Sequence, residues 1–348
     1  MFSESELTSL LSKFQDLSIL VVGDFYLDAY WYIDKTRSTL SLETPWHTNP
    51  VTEQSYSPGA AGTVTNNLKA LGVGTVYTVG VIGDDNFGRT LFTSLQETGC
   101  ITDNLIKETE WVTPTYLKPI HRGIEGIETE GPRFDIENSV PFNQRVEDKL
   151  IETLQNLVPI VDGVIIGDQM PIENMGVITS NVREELCNLG DKYPEKIIFA
   201  DSRAHIGYYK NVIIKPNRFE ASHAVDPNRD IENVDLSTTK DIALSLSEKT
   251  KRTVYITLGE NGILVYSNDS FTHILGNETT DKIDPVGAGD SVSAGLVSTL
   301  CSLGQDEIVK AAYIGNLVAS ITVTKIGTTG TASPEEILEK NRSLNGRF

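Results

Sequence analysis

Short apolar runs of β character recur along this 348-residue chain, and helix-like stretches separate several of them. The runs are SILVVGD (18–24), TVYTVGVIG (75–83), DGVIIGD (162–168), KIIFAD (196–201), NVIIKPN (211–217), TVYITLG (253–259) and GILVYS (262–267). Between them lie VTNNLKALG, GRTLFTSLQETG, VEDKLIETLQNL and TKDIALSLSEK. Near-continuous Val/Ile runs suit strands buried on both faces, and their alternation with helices predicts a mostly parallel sheet covered on both sides. In open α/β sheets ligands bind beyond the carboxyl ends of the strands. Here those ends carry Gly23-Asp24, Gly167-Asp168, Asp201, Asn217 and Gly259.

Charge narrows the partners. Lys and Arg number 29 against 48 Asp and Glu, a formal charge of −19, which speaks against nucleic acid as a ligand. The same field repels a nucleotide at long range, so any nucleotide site needs local N–H groups, a few cations and a metal. Cys100, Cys187 and Cys301 are widely spaced, implying neither a zinc site nor a disulfide framework. No apolar run reaches the length of a membrane span and the opening MFSESELTSLLSKFQD lacks a basic or apolar leader, so a soluble cytoplasmic protein is expected, with no membrane partner.

Two stretches break the rhythm. Residues 31–56 and 111–136 are rich in Thr, Tyr and Trp and read as strands that leave the main sheet, forming a small β-lid over a core of 1–30, 57–110 and 137–348. Ordinary surface hairpins are the alternative. Trp31, Tyr32, Trp46 and Trp111 would cover the lid's face in a homodimer or form its own small core.

The segment Asp284-Pro285-Val286-Gly287-Ala288-Gly289-Asp290 stands at the head of a small-residue helix. A first helical turn has free N–H groups and a positive dipole end, and small residues let an anion approach. Asp290 adds a carboxylate where a general base for phosphoryl transfer would stand; a capped flexible turn is the plainer reading. IKPNRFEA supplies Asn217 and Glu220 as N-x-x-E, alone most often a capped helix start. ITLGENG carries Thr257, Gly259 and Gly262, where glycines would let a nucleotide pass or would make a hairpin turn. Asp28, after the first strand, is an acceptor-only carboxylate that a solvated turn would also explain; Asp168 ends another strand, and Asp24 is expected to brace its turn. No GxxxxGK[ST] and no GxGxxG after the first strand are present, which disfavours P-loop and dinucleotide folds.

DPVGAGD resembles the DTxGAGD signature of the ribokinase-like (PfkB) carbohydrate kinases, with Pro285 in place of Thr. SPGAAGTVTNNLKALG resembles the family's earlier glycine signature: Gly59 falls on the first glycine, Ala60 replaces the second, and Thr63 stands where a sugar-binding Asn is usual. The motifs run in the family's order from about residue 17 to 340. The resemblance implies a three-layer α/β/α sandwich, ATP and Mg²⁺ as cofactors, and a small sugar or sugar phosphate as acceptor. It implies Asp290 as base with the N–H groups of Gly287, Ala288, Gly289 and Asp290 as anion hole, and Asp28, Gly59, Thr63 and Asp168 at the acceptor. Asn217 and Glu220 would orient Mg²⁺ largely through water, with Thr257, Gly259, Gly262, Asn316 and the segment Lys325 to Thr328 around the nucleotide. Asp284 would help hold a monovalent cation such as K⁺. The opening VVGDFYLDAYWYIDKTR is similar to that of bacterial D-glycero-D-manno-heptose-7-phosphate kinases, often fused to a nucleotidyltransferase domain, although no HxGH string occurs here. Kinases of a ketohexose, a ketohexose phosphate or a nucleoside remain open, as does a degenerate fold that only binds sugar.

Overall fold

The computed structural model describes residues 2–123, 126–229, 234–277, 282–327 and 329–345. Its main sheet contains β1 (Ser18–Gly23), β4 (Thr75–Gly83), β5 (Leu105–Glu108), β9 (Gly163–Asp168), β10 (Ile197–Ser202), β11 (Ile213–Ile214), β12 (Val254–Thr257), β13 (Ile263–Ser267) and β14 (Ser270–Ile274). The strand order is β14-β13-β12-β11-β10-β9-β1-β4-β5, parallel except for the antiparallel pairs β12–β13 and β13–β14. All seven apolar runs contribute strands to it. The two strands they do not include, β5 (LIKE) and β14 (SFTHI), lie at the sheet edges, where polar residues replace the continuous apolar signal.

Along β1, Ile19 and Val21 join one core and Leu20 and Val22 the other, as the two-residue side-chain period requires. The first core is closed by α1 (Glu4–Lys13), α2 (Ala61–Ala70), α3 (Asn86–Glu97), α8 (Ala288–Leu303), α9 (Ile308–Thr322) and α10 (Pro334–Asn345). The second is closed by α4 (Gln144–Leu157), α5 (Ser180–Lys192), α6 (Arg218–Val225) and α7 (Leu236–Thr250). The result is the expected three-layer α/β/α sandwich. No described helix is long and apolar enough to cross a membrane.

A second sheet stands apart: β2 (Phe25–Asp34), β3 (Val51–Ala60), β6 (Thr115–Arg122), β7 (Glu128–Glu130) and β8 (Phe134–Ile136), with β6 parallel to β2 and the other pairs antiparallel. It takes in residues on both sides of the 31–56 excursion, because the chain leaves the main sheet at Asp24. Phe25 to Ala29 are as buried as β1, so composition does not mark the departure. Trp111 belongs to the main body, buried edge-on against Phe142 at 5.2 Å, whereas Trp46 is 75% exposed.

The return from β3 into α2 passes through Ala60 at φ 51°, ψ −119°, a backbone conformation suited to glycine. Such a residue costs about 1–3 kcal/mol, offset in part by the lower unfolded-state entropy of alanine. Ala60→Gly is therefore expected to stabilise the fold by about 1 kcal/mol in chemical denaturation. An unchanged or lower midpoint would contradict strain at this residue.

Candidate active site

The strand order reverses at β1, which has β4 on one side and β9 on the other. That is where an open α/β sheet leaves a crevice at its carboxyl ends. A cleft of about 620 Å³ lies there, with the ends of β9 and β10, the start of α8 and the second sheet as its walls.

Gly287 caps α8 at φ 78°, and a Cβ built on it would lie 3.3 Å from Thr63 Cγ2 and 3.4 Å from Thr329 Cγ2. Thr63, in the first turn of α2, thus packs its methyl against the anion turn. Its hydroxyl lies 3.5 Å from the Pro58 carbonyl it donates to. The expected four-donor anion hole needs one correction. The Ala288 N–H already donates to the Pro285 carbonyl at 3.1 Å, because Pro285 to Ala288 form a tight turn. The N–H groups of Gly289 and Asp290, second and third in the helix, have no intrahelical acceptor and are left for a ligand.

Asp290 opens onto the cleft yet is surrounded by protein. Desolvation, with the Asp201 charge adding to it and Lys215 opposing, pushes its carboxyl up to about 7. Lys215, buried just after β11, donates to Asp201 Oδ2 at 2.8 Å, and a Cβ on Gly289 would be 3.5 Å from its Nζ. Burial works against the ammonium, but Asp201, Glu220 and Asp290 together outweigh it and hold its pKa above the usual value. Asn217 and Glu220 form a reciprocal cap on α6: the Asn217 side chain accepts from the Phe219 and Glu220 N–H groups, and Glu220 Oε2 accepts from Asn217 N–H at 2.7 Å. The capping role and a place on the cleft wall hold together. Burial raises the Glu220 carboxyl, as does Asp201, with Lys215 opposing.

Among the described residues, no three carboxylate, histidine or cysteine groups converge as a metal cage. Yet Asp201, Glu220 and Asp290 face one buried lysine, a surplus of negative charge that a divalent cation would relieve. Such an ion fits this site when its remaining ligands are phosphate oxygens and water.

At the other end Asp28, inside β2 rather than beyond a strand, pairs its Oδ1 with Lys118 Nζ at 3.3 Å. Burial raises the Asp28 carboxyl against that pairing. A Cβ on Gly59 would meet Asp28 Oδ2 at 2.7 Å, so a side chain there would force the carboxylate to move. The Arg133 guanidinium lies 4.0 Å over the Tyr116 ring and is paired with Asp135. Arg203, after β10, has no carboxylate at ion-pair distance among the described residues and meets the Gln169 side chain. Asp168 lines the cleft, but its Oδ2 already accepts from Ser202 Oγ at 2.7 Å and Tyr209 at 3.0 Å. Asp24 braces its turn: its carboxylate accepts from the N–H groups of Gln169, Met170 and Val177.

Thr257 and Asp284 also line the cleft; Asp284 accepts from the Val286 N–H at 3.1 Å and the Gly327 N–H at 3.4 Å. Gly259 and Gly262 make the turn of the β12–β13 hairpin and are not on the cleft wall. Nor are Asn316, which ties α9 to the Ile274 and Leu275 carbonyls, and Lys325, whose ammonium is held by Glu336 at 2.7 Å. Thr328 lies outside the described residues. Sequence reasoning missed Lys118, Arg133, Arg203 and Lys215. Only Lys215 carried a signal, two residues before Asn217 in the same string.

The sequence pattern of the pfkB family carbohydrate kinases matches residues 182–336. The chain is 30% identical over 331 residues to the bifunctional protein HldE of Aliarcobacter butzleri, covering 94% of this chain and 65% of that protein. The chain thus spans less than two thirds of the length of this relative. Among solved structures, a putative sugar kinase from Clostridium perfringens superposes with a TM-score of 0.71 at 19% identity, covering 94% of this chain and 96% of that one. Phosphofructokinase-2 from Escherichia coli, in complex with potassium, gives 0.70 at 16% identity, covering 94% and 99%. With these matches and the cleft at its strand ends, the chain carries the pfkB carbohydrate kinase pattern over residues 182–336 and has the ribokinase-like fold.

Proposed function

We propose that this sugar kinase transfers the γ-phosphoryl group of ATP to a hydroxyl of a sugar that already carries a phosphate, with heptose 7-phosphate the leading acceptor. The observation that carries this reading is Arg203, a cleft cation with no carboxylate at ion-pair distance among the described residues, in the same cleft as Lys118 and Arg133. A cleft guanidinium without a direct ion pair is suited to a phosphate through charge-assisted hydrogen bonds. The opening run and the similarity to HldE proteins favour the heptose.

Asp290 takes the proton of the attacking hydroxyl, while the N–H groups of Gly289 and Asp290 and the Lys215 ammonium stabilise charge on the transferred group. Asp28 and Thr63 orient the acceptor, and Asn217, Glu220 and Thr257 border the phosphates. A bound Mg²⁺, held through Glu220 and Asn217 largely by way of water, supplies charge neutralisation on the nucleotide phosphates. Asp284, joined to Gly327, is the residue for a monovalent cation. The second sheet acts as a lid that excludes water, and the exposed Leu40, Leu42 and Trp46 of its β2–β3 connection, with Phe134 of β8, pair two copies of the chain. A monomer in sedimentation would contradict that pairing.

Phosphorus NMR of ATP incubated with heptose 7-phosphate tests the reading. A new phosphate-ester resonance on the sugar, alongside ADP, is expected. A product only with unphosphorylated sugars would overturn it.

A further inference from the structure

Arg203 is pinned at two points on the end of β9. Its N–H donates to the Asp168 carbonyl at 3.0 Å. Its two terminal nitrogens lie 3.2 and 2.9 Å from the Gln169 side chain, and the amide orientation that satisfies both groups turns the oxygen toward Arg203. An amide oxygen orients a guanidinium without a direct ion pair, whereas a carboxylate in the same place would form one and cancel the charge available to a ligand. Lys118, Arg133 and Lys215 each have such a carboxylate partner, at 3.3, 2.6 and 2.8 Å.

Gln169 is fixed in turn from below. Asp24 is 4% exposed and accepts from the N–H of Gln169 at 2.8 Å, of Met170 at 2.9 Å and of Val177 at 2.7 Å. Its own N–H donates to the Gly167 carbonyl at 3.0 Å, and its carbonyl accepts from the Ala61 N–H at 3.1 Å. One buried residue therefore ties β1, the start of α2 and the loop after β9 together. Asp168 does not compete for the guanidinium through its Oδ2, which Ser202 and Tyr209 occupy.

We propose that Gln169, held in place by Asp24, is a positioning residue that sets the preference for phosphorylated acceptors by aiming Arg203 without neutralising it. This rests on the sugar-phosphate reading above. Each end of the relay has a distinct consequence: loss of Arg203 removes the phosphate ligand, and alteration of Gln169 leaves it present but misdirected or neutralised.

The test is the ratio of KM values for unphosphorylated heptose and heptose 7-phosphate in wild type, Arg203→Ala, Gln169→Leu and Gln169→Glu. Wild type should favour the phosphorylated sugar. Both Gln169 variants should lose about ten-fold of that ratio, with the loss falling on KM more than on kcat. Gln169→Leu removes the oriented oxygen, and Gln169→Glu keeps an oxygen but adds the cancelling charge, so a merely structural role would be rescued by the second variant and this one would not. If Arg203→Ala collapses the ratio while either Gln169 variant keeps it, the role of Gln169 is overturned and the sugar-phosphate reading stands. If Arg203→Ala keeps the ratio, both fall.

Discussion

Replacing Asp290 with Asn is expected to lower kcat by at least about 100-fold while leaving the fold and nucleotide binding in place. The carboxylate sits at the third position of α8, and its own N–H and that of Gly289 are without intrahelical acceptors. In the proposed mechanism base and anion site share one helical turn, and Asn would keep the shape of that turn while removing the base. The pH dependence gives an independent check. Desolvation and Asp201 hold the Asp290 carboxyl near 7, so below that pH it retains its proton and cannot accept another. The kcat/KM of the wild type should rise as pH increases through about 7. Stability should move the other way. The folded carboxyl binds its proton more tightly than the unfolded one, so folded stability declines as pH rises from the ordinary carboxylate range through about 7. Asp290→Asn removes that penalty and should melt higher than wild type at pH 8, with the gap closing in acid. Near-normal turnover in this variant would remove Asp290 from the chemistry.

Lys215→Met should damage both stability and turnover. Its ammonium is the cation opposite Asp201, and burial makes an unpaired charge expensive. Removing one partner of a buried pair costs about 3–5 kcal/mol, and removing a donor aimed at developing negative charge costs roughly 10²–10³ in kcat. The two losses separate in a second variant. Lys215→Met combined with Asp201→Asn removes both charges of the pair, so it should recover most of the stability and little of the turnover. Recovery of turnover together with stability would make Lys215 a purely structural residue.

The main sheet was readable because its strands are near-continuous Val and Ile runs, which only strands buried on two faces need. The same rule hid where the second sheet begins, since Phe25 to Ala29 continue the apolar run of β1 without a break in composition. The geometry of the α8 turn was readable for a different reason: small residues, a helix start and a carboxylate occupy one contiguous string. The cations were not. Whether Lys118 faces Asp28 depends on β6 lying parallel to β2, with Tyr30 opposite Lys118, a pairing between segments 88 residues apart. Arg203 becomes informative only beside Gln169 on the neighbouring strand end, and no local spacing reports which charged side chain turns inward.

Lys325 and Asn316 show the converse. Their positions in the motif order suggested a nucleotide border, but the ammonium of Lys325 is spent on Glu336 and the Thr331 carbonyl, and Asn316 on two backbone carbonyls. Order along the chain locates a segment. It does not say which of its groups are already satisfied.

Acceptor-dependent ADP release, measured with ATP, Mg²⁺ and heptose 7-phosphate against unphosphorylated heptose, tests the central claim most directly. Saturable release that favours the phosphorylated sugar and is lost in Asp290→Asn is expected. Release that no sugar or sugar phosphate stimulates, or that Asp290→Asn retains, would contradict it.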